Sequence, residues 1–241
     1  MQKKLTFVMA KESEPSVYYS DDSSEATEFR RLAKKLLQFR NSPELKSLLV
    51  TSSVKHEGKS LISAKIAIAI AKFQNDKKIL LVDYDLRQPV IHKLFSIKLQ
   101  PGLSSLLLEN NINIDTVIQD TKLDNLKIIA SGTSRQPPSQ LLRNIKTIMD
   151  KCKDSFDFIV CDTPPVVPVD DVGLLVPNVD GVLLVVMAGR TDRMIVKRAT
   201  EILADAKARI VGIVLNNLYG SLPYYYDYNH YGYGYYGNKD K

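Results

Sequence analysis

Six short apolar runs alternate along this chain with stretches of helical periodicity. The runs are Leu48–Thr51, Lys78–Asp83 (KILLVD), Leu126–Ala130, Phe156–Asp162 (FDFIVCD), Gly181–Met187 (GVLLVVM) and Ile210–Asn216 (IVGIVLN). They are nearly continuous in Val, Ile and Leu, as a strand must be when both faces of its sheet are covered. Between them, Ser60–Phe73, Gly102–Leu108, Ser139–Cys152 and Asp192–Asp205 read as helices. Upstream, Glu25–Phe39 reads as a basic amphipathic helix, with Phe29, Leu32, Leu36 and Phe39 at helical spacing. Ser23 or Ser24 is placed to cap it, and Pro43 marks its end region. No internal repeat is visible. The order predicts an α/β domain: a mostly parallel central sheet flanked by helices.

The two ends depart from this pattern. Residues 1–24 read as a flexible segment, and residues 219–241 hold nine of the twelve tyrosines. Those tyrosines are separated by Gly, Asn, Asp and His with almost no aliphatic residue, so the stretch cannot build a core and reads as a flexible tail. The expected layout is therefore a segment 1–24, a domain 25–218 and a tail 219–241. A chain of 241 residues, 44% hydrophobic, fits one α/β domain with a sizeable core. A net charge of +6 permits contact with an anionic surface without specifying one. Two cysteines are too few for a disulfide framework, and Cys161 in its apolar run is expected as a buried thiol, which favours a cytoplasmic location. No signal peptide is visible, and the most apolar window, Val172–Ala188, is broken by Pro177, Asn178 and Asp180. Membrane association is then expected only through a partner or through charge.

The stretch TSSVKHEGKSLISAK follows the first run and opens a helix. A phosphate-binding loop belongs in that position, because backbone N–H groups wrap the phosphates and the helix N-terminus adds positive potential. The nucleotide-binding candidates are Ser53, Val54, Lys55, His56, Glu57, Gly58, Lys59, Ser60 and Leu61. Lys59 is placed to reach the β- and γ-phosphates of ATP, and Ser60 to set its hydroxyl on Mg²⁺. Ser53 stands where the generic G-x-x-x-x-G-K-[ST] pattern has its first glycine.

Asp83 and Asp85 follow the second run, and Asp162 ends the fourth. Ligands of a parallel sheet bind beyond the carboxyl ends of its strands, so the three carboxylates are expected beside Lys59 and Ser60. Mg²⁺ needs one or two carboxylates besides phosphate oxygens. Ser60, Asp85 and Asp162 are the expected holders of the metal or its waters. A phosphate-handling domain joined to a tyrosine cluster points to transfer onto the chain itself, with Tyr224, Tyr225, Tyr226, Tyr228, Tyr231, Tyr233, Tyr235 and Tyr236 as acceptors. A tyrosine hydroxyl, with pKa near 10, needs a proton acceptor. Asp83 is the first choice and Asp85 the second. Arg87 either steadies the acidic loop or completes a neighbour's site.

These motifs resemble those of the bacterial tyrosine kinases of exopolysaccharide and capsule synthesis. That family lies in a deviant P-loop ATPase group that also holds the division-site and partition ATPases. The resemblance runs from about Glu25 to the C-terminus and rests on four stretches: SSVKHEGKS; ILLVDYDLRQPVIHKLF; FDFIVCDTPPV; and the tyrosine tail. In the second, Asp83, Asp85, Arg87, Pro89 and His92 fill a D-x-D-x-R-x-P pattern followed by a histidine. The resemblance implies autophosphorylation of the tyrosine cluster in trans within a ring-like homo-oligomer. It implies a membrane-spanning chain-length-regulator protein as activator, a separate protein in Gram-positive versions, which recruits a cytoplasmic kinase to the inner face of the membrane. It also implies a cognate tyrosine phosphatase. No nucleic-acid partner is expected, because the tail has few basic residues to follow a backbone, only Lys239 and Lys241 near its end. The helix around Glu28, Phe29, Arg30 and Arg31 is similar to the family's Glu- and Arg-rich subunit-contact segment.

The chain also departs from the family pattern. Lys55 and His56 stand where the family usually carries Pro-Gly, Leu61 where it carries Thr, and Lys65 where it commonly carries Asn. The stretch SGTSRQPPSQLL, ending at Leu142, is only loosely similar to the family's Gly- and Pro-rich loop. The lost glycine matters if its position needs a positive φ, which strains any other residue. Two other readings stay open on sequence: an ATP-switched, non-catalytic adaptor of the polysaccharide machinery, and a partition or division-site type ATPase. The latter carries a signature lysine at the place held here by Val54; Lys55 is one residue off.

Overall fold

The computed structural model describes residues 23–39, 44–108 and 113–217. Seven strands form one sheet: β1 (Ser47–Ser52), β2 (Ile79–Asp83), β3 (Ile118–Asp120), β4 (Leu126–Ile129), β5 (Phe158–Asp162), β6 (Gly181–Met187) and β7 (Ile210–Asn216). Their order is β3-β4-β2-β5-β1-β6-β7, and only β3 runs antiparallel. Among the described residues eight α-helices flank it: α1 (Ser24–Gln38), α2 (Lys59–Phe73), α3 (Ile91–Leu94), α4 (Leu103–Leu108), α5 (Pro138–Leu141), α6 (Ile145–Ser155), α7 (Asp171–Leu175) and α8 (Arg193–Asp205).

The apolar runs are continuous because both faces are covered. Every residue of β1, β2 and β5 is buried. Alternate side chains feed two cores: Leu49, Leu80, Val82 and Ile159 pack with α4, α6 and α8, while Leu48, Val50, Leu81 and Val160 pack with α1 and α2. Each such side chain, fully buried, stabilises the fold by about 1.5–3 kcal/mol. From Ile62 to Ala71 every residue of α2 is buried, because the sheet covers one side and Phe29, Ala33 and Leu36 of α1 cover the other. That explains why α2 lacks a polar stripe.

Two ion pairs fasten the frame away from the strand C-termini. Lys65, on α2 and 3% exposed, is held by Glu25 of α1 and lies 5.7 Å from the centroid of the Phe29 ring. Asp180, just before β6, accepts from the backbone N–H of Lys46 (3.0 Å) and Ser47 (2.7 Å), the Ser47 hydroxyl (2.8 Å) and Lys153 Nζ (2.8 Å). Burial alone would raise its proton affinity; the bonds from Lys153 and Ser47 outweigh that and hold its carboxyl below the ordinary range.

The expected α/β sheet is present, with differences in detail. Ser23 caps α1 through a 3.0 Å bond from the Ala26 N–H. The helix expected over 139–152 is broken: α5 begins at Pro138, a 3₁₀ turn covers Leu142–Asn144, and α6 runs on to Ser155. Leu141 and Leu142, on either side of the break, are both buried. The edge strand β3 escaped the sequence pattern because it has three residues, none of them buried. Cys152 and Cys161 are both free and buried; burial raises both thiols, Cys152 up to about 12. Among the described residues no helix is long and apolar enough to cross a membrane. The segment 1–22 and the tail tyrosines lie outside the described residues.

Candidate nucleotide and phosphoryl-transfer site

The site forms where β1, β5 and β2 end side by side. Val50 of β1 and Asp83 of β2 are both in register with Asp162 of β5. The chain leaving β1 turns through Ser53–Gly58 and enters α2 at Lys59. Gly58 takes φ +88°, a conformation that favours glycine, and a Cβ there would lie 2.3 Å from Asn216 Nδ2 and displace that side chain from its bond to the Glu57 carbonyl.

Lys59 Nζ lies 2.8 Å from Asp85 Oδ2 and 3.2 Å from Ser60 Oγ. The second Asp85 oxygen, Oδ1, accepts from the Gln88 N–H at 2.9 Å. Asp83 is fully buried; its Oδ1 accepts from the Asp85 N–H, and its Oδ2 from the N–H groups of Val90 and Ile91. Asp162 Oδ1 accepts from Ser63 Oγ at 2.9 Å. Its Oδ2 is buried and has no hydrogen-bond partner among the described residues. Ser60 is near enough to favour the charged form of Asp162, yet its hydroxyl accepts from Lys59. Arg87 grips Asp171 with two bonds, Nε to Oδ2 at 2.7 Å and Nη2 to Oδ1 at 3.0 Å. These bonds join the acidic loop after β2 to the start of α7.

The electrostatics describe a site short of positive charge. Three carboxylates face one ammonium, which leaves two negative charges unmatched when all are ionised. Burial first, and then the neighbouring Asp162, pushes the Asp83 carboxyl well above its ordinary value. Burial also raises Asp162, against the opposing pull of Lys59, Ser60 and Ser63. Burial alone would lower Lys59; Asp162, Asp85 and Asp83 together raise it. An orphaned buried carboxylate oxygen near a serine hydroxyl, in a cluster of three carboxylates and one ammonium, fits a hydrated divalent cation carried in with a nucleotide. Among the described residues no three His, Cys, Asp or Glu side chains form a metal cage. Mg²⁺ sites of this kind do without one, because phosphates supply the remaining oxygens.

The lost glycine of the loop has a visible consequence. His56 sits at φ +65° and is exposed. The left-handed region costs a residue other than glycine about 1–2 kcal/mol. His56→Gly is expected to raise stability by up to about 1 kcal/mol, the strain relief being partly offset by the freedom of glycine in the unfolded chain. Thermal unfolding reads this directly; a loss of stability would mean the imidazole makes a contact worth more than the strain.

A strand, a phosphate loop opening a helix and acidic ends on the neighbouring strands define a P-loop nucleotide-binding protein. Comparison with known proteins places it more closely. The family model described as "ParA: NUBPL iron-transfer P-loop NTPase" matches residues 45–230. The tyrosine-protein kinase YwqD of Bacillus subtilis is 33% identical over 199 residues, 82% of this chain and 80% of that protein. The tyrosine-protein kinase CpsD of Streptococcus agalactiae is 34% identical over 202 residues, 81% and 85% of the two chains. The crystal structure of the chimerical protein CapA2B2 superposes with a TM-score of 0.76 at 30% identity, covering 83% of this chain and 88% of that one. The chain therefore belongs to the bacterial tyrosine-protein kinases, the branch of the P-loop NTPases that its motifs resemble.

Proposed function

We propose that this chain binds ATP·Mg²⁺ and transfers the γ-phosphoryl group to tyrosines of its own C-terminal cluster, on a neighbouring copy, in the control of capsular or extracellular polysaccharide synthesis. The observation that carries this is the convergence of Lys59, Ser60, Asp83, Asp85 and Asp162 on one strand edge, with Asp162 Oδ2 left without a protein partner. Phosphoryl transfer asks a protein mainly for positioning and charge stabilisation. Lys59 and the loop amides between Ser53 and Ser60, other than that of Val54, which is given to Glu57, hold the phosphates. On ATP binding Lys59 turns from Asp85 to the phosphate oxygens. Ser60, Asp162 and Asp85 would hold Mg²⁺ or its waters, and the ion would supply positive charge against that developing on the phosphates. The tyrosine oxygen forms the new O–P bond, the bond from phosphorus to the β,γ-bridging oxygen breaks, and ADP leaves. The phenolic proton goes to a carboxylate. Asp83 is the stronger acceptor, since burial beside Asp162 raises its proton affinity, and three amide bonds leave one of its four lone-pair positions open. Asp85 is second.

The acceptors proposed are Tyr224, Tyr225, Tyr226, Tyr228, Tyr231, Tyr233, Tyr235 and Tyr236, in a tail 219–241 that follows a kinase domain of residues 25–218. Each phosphate adds a charge of about −1.5 to −2, enough for several to drive neighbouring copies of a ring apart. A membrane-spanning chain-length regulator is the proposed activator and brings the kinase to the inner face of the membrane; a tyrosine phosphatase reverses the modification. Mixing two variants tests transfer in trans. One is inactive but keeps its tail (Lys59→Met); the other is active with its eight tail tyrosines changed to Phe. Phosphate is expected on the Lys59→Met chain alone. Phosphate on neither chain in the mixture, with each variant folded and the wild type labelling itself, would contradict transfer between copies.

A further inference from the structure

A carboxylate is an unexpected neighbour for phosphates, yet the loop carries Glu57 one residue before Gly58. If it faced the nucleotide it would repel the phosphate oxygens. It does not: Glu57 is 2% exposed and turned inward. Oε2 accepts from the Val54 N–H at 2.7 Å. Oε1 accepts from the Met187 N–H at 3.2 Å and closely from the Thr191 hydroxyl. Its own carbonyl accepts from Asn216 Nδ2 at 2.9 Å. Among the described residues no Lys or Arg pairs with it, so these donors alone support the charge. Val54 belongs to the loop, Met187 ends β6, Thr191 precedes the cap of α8 and Asn216 ends β7.

We infer that Glu57 is a positioning residue: with Thr191 it latches the phosphate loop to the β6–α8 connection and so sets the geometry in which the loop amides meet ATP. This rests on the reading of the site as an ATP site. The physical case is that Val54 gives its N–H to Glu57, so the curvature of the loop is fixed by a carboxylate whose other oxygen is anchored on a different strand. A buried carboxylate deprived of one donor shifts toward those that remain, and the loop shifts with it. Displacements on the scale of an ångström cost catalytic geometries as much as about a hundredfold.

Thr191→Val removes one donor without a change of shape; Thr191→Ser restores the hydroxyl. Glu57→Gln sets an amide donor against the N–H groups of Val54 or Met187. Titration with ATP·Mg²⁺ and amide hydrogen exchange of nucleotide-free protein are both read. The expected result is a Kd for ATP raised about tenfold in Thr191→Val and more in Glu57→Gln. Affinity within about twofold of wild type is expected in Thr191→Ser, with protection of the Val54 and Met187 amides lost wherever affinity is lost. Wild-type affinity in Thr191→Val overturns the inference, as does an equal loss in Thr191→Ser. If wild-type protein fails to bind ATP, the ATP-site reading falls, and the positioning role with it, whereas exchange at Val54 and Met187 still shows whether the latch itself exists.

Discussion

Lys59→Met is expected to lower tyrosine phosphorylation at least about a thousandfold, because in the proposed mechanism Lys59 is the cation that meets the transferring phosphoryl group. It is also expected to destabilise the nucleotide-free protein. Lys59 Nζ and Asp85 Oδ2 form a pair whose side chains are 13% and 4% exposed. Removing the ammonium leaves Asp85 charged and buried, at a cost of about 3–5 kcal/mol. Adding Asp85→Asn to Lys59→Met removes the unpaired charge and is expected to recover most of that stability while activity stays absent. Recovery of stability with no recovery of transfer separates the two roles of Lys59. Thermal unfolding of the two variants beside a phosphotyrosine assay gives both numbers. Unchanged stability in Lys59→Met would mean that its ion pair with Asp85 contributes nothing before nucleotide arrives.

Asp162→Asn is expected to act in the opposite direction on stability while again removing activity. Asp83 and Asp162 both have carboxyls raised by burial. A carboxyl that binds its proton more tightly folded than unfolded contributes stability below its ordinary value, near 3.8, and loses that contribution as pH rises through the raised value. The nucleotide-free protein should therefore lose stability from about pH 4 upward on account of this cluster. Asp180, with a lowered carboxyl, acts with the opposite sign: its contribution is present above about pH 4 and lost as pH falls below it. Neutralising Asp162 flattens the first dependence and raises the neutral-pH melting temperature by about 2–4 °C. Transfer should fall at least about a hundredfold, since the orphaned Oδ2 proposed to hold the metal is gone. Saturating Mg²⁺·ADP should stabilise wild type and leave the variant nearly unchanged. A variant that melts lower than wild type across the whole pH range would contradict the picture of a site crowded with negative charge.

Much of this site was legible before the fold. The Lys59–Ser60 pair, the two acidic strand ends and their convergence follow from a rule about where parallel sheets bind ligands, and Asp83 and Asp162 are indeed in register. The His56 backbone was anticipated in kind: a missing glycine matters at a positive φ, and φ there is +65°. What the sequence did not show depends on contacts between distant residues. The side chain of Glu57 looks like a phosphate-loop residue, yet it reaches Met187 and Thr191, 130 and 134 residues away. Asn216 over Gly58 and Arg87 on Asp171 are equally invisible to local pattern. Short elements such as β3 and α7 escaped because three to five residues give no period to read. A glutamate flanked by glycine in a loop meant for anions was the one available signal for the Glu57 latch.

The proposed function stands on transfer of phosphate from ATP to the tail tyrosines of this chain. The most direct test is the intact mass of purified protein after incubation with ATP and Mg²⁺, with and without the cytoplasmic segment of the proposed membrane activator. Additions in multiples of about 80 Da are predicted, one per phosphoryl group on tyrosine. They should vanish when Tyr224, Tyr225, Tyr226, Tyr228, Tyr231, Tyr233, Tyr235 and Tyr236 are all changed to Phe. An unmodified mass under both conditions, from protein that demonstrably binds ATP, would contradict the kinase account and leave a nucleotide-switched adaptor in its place.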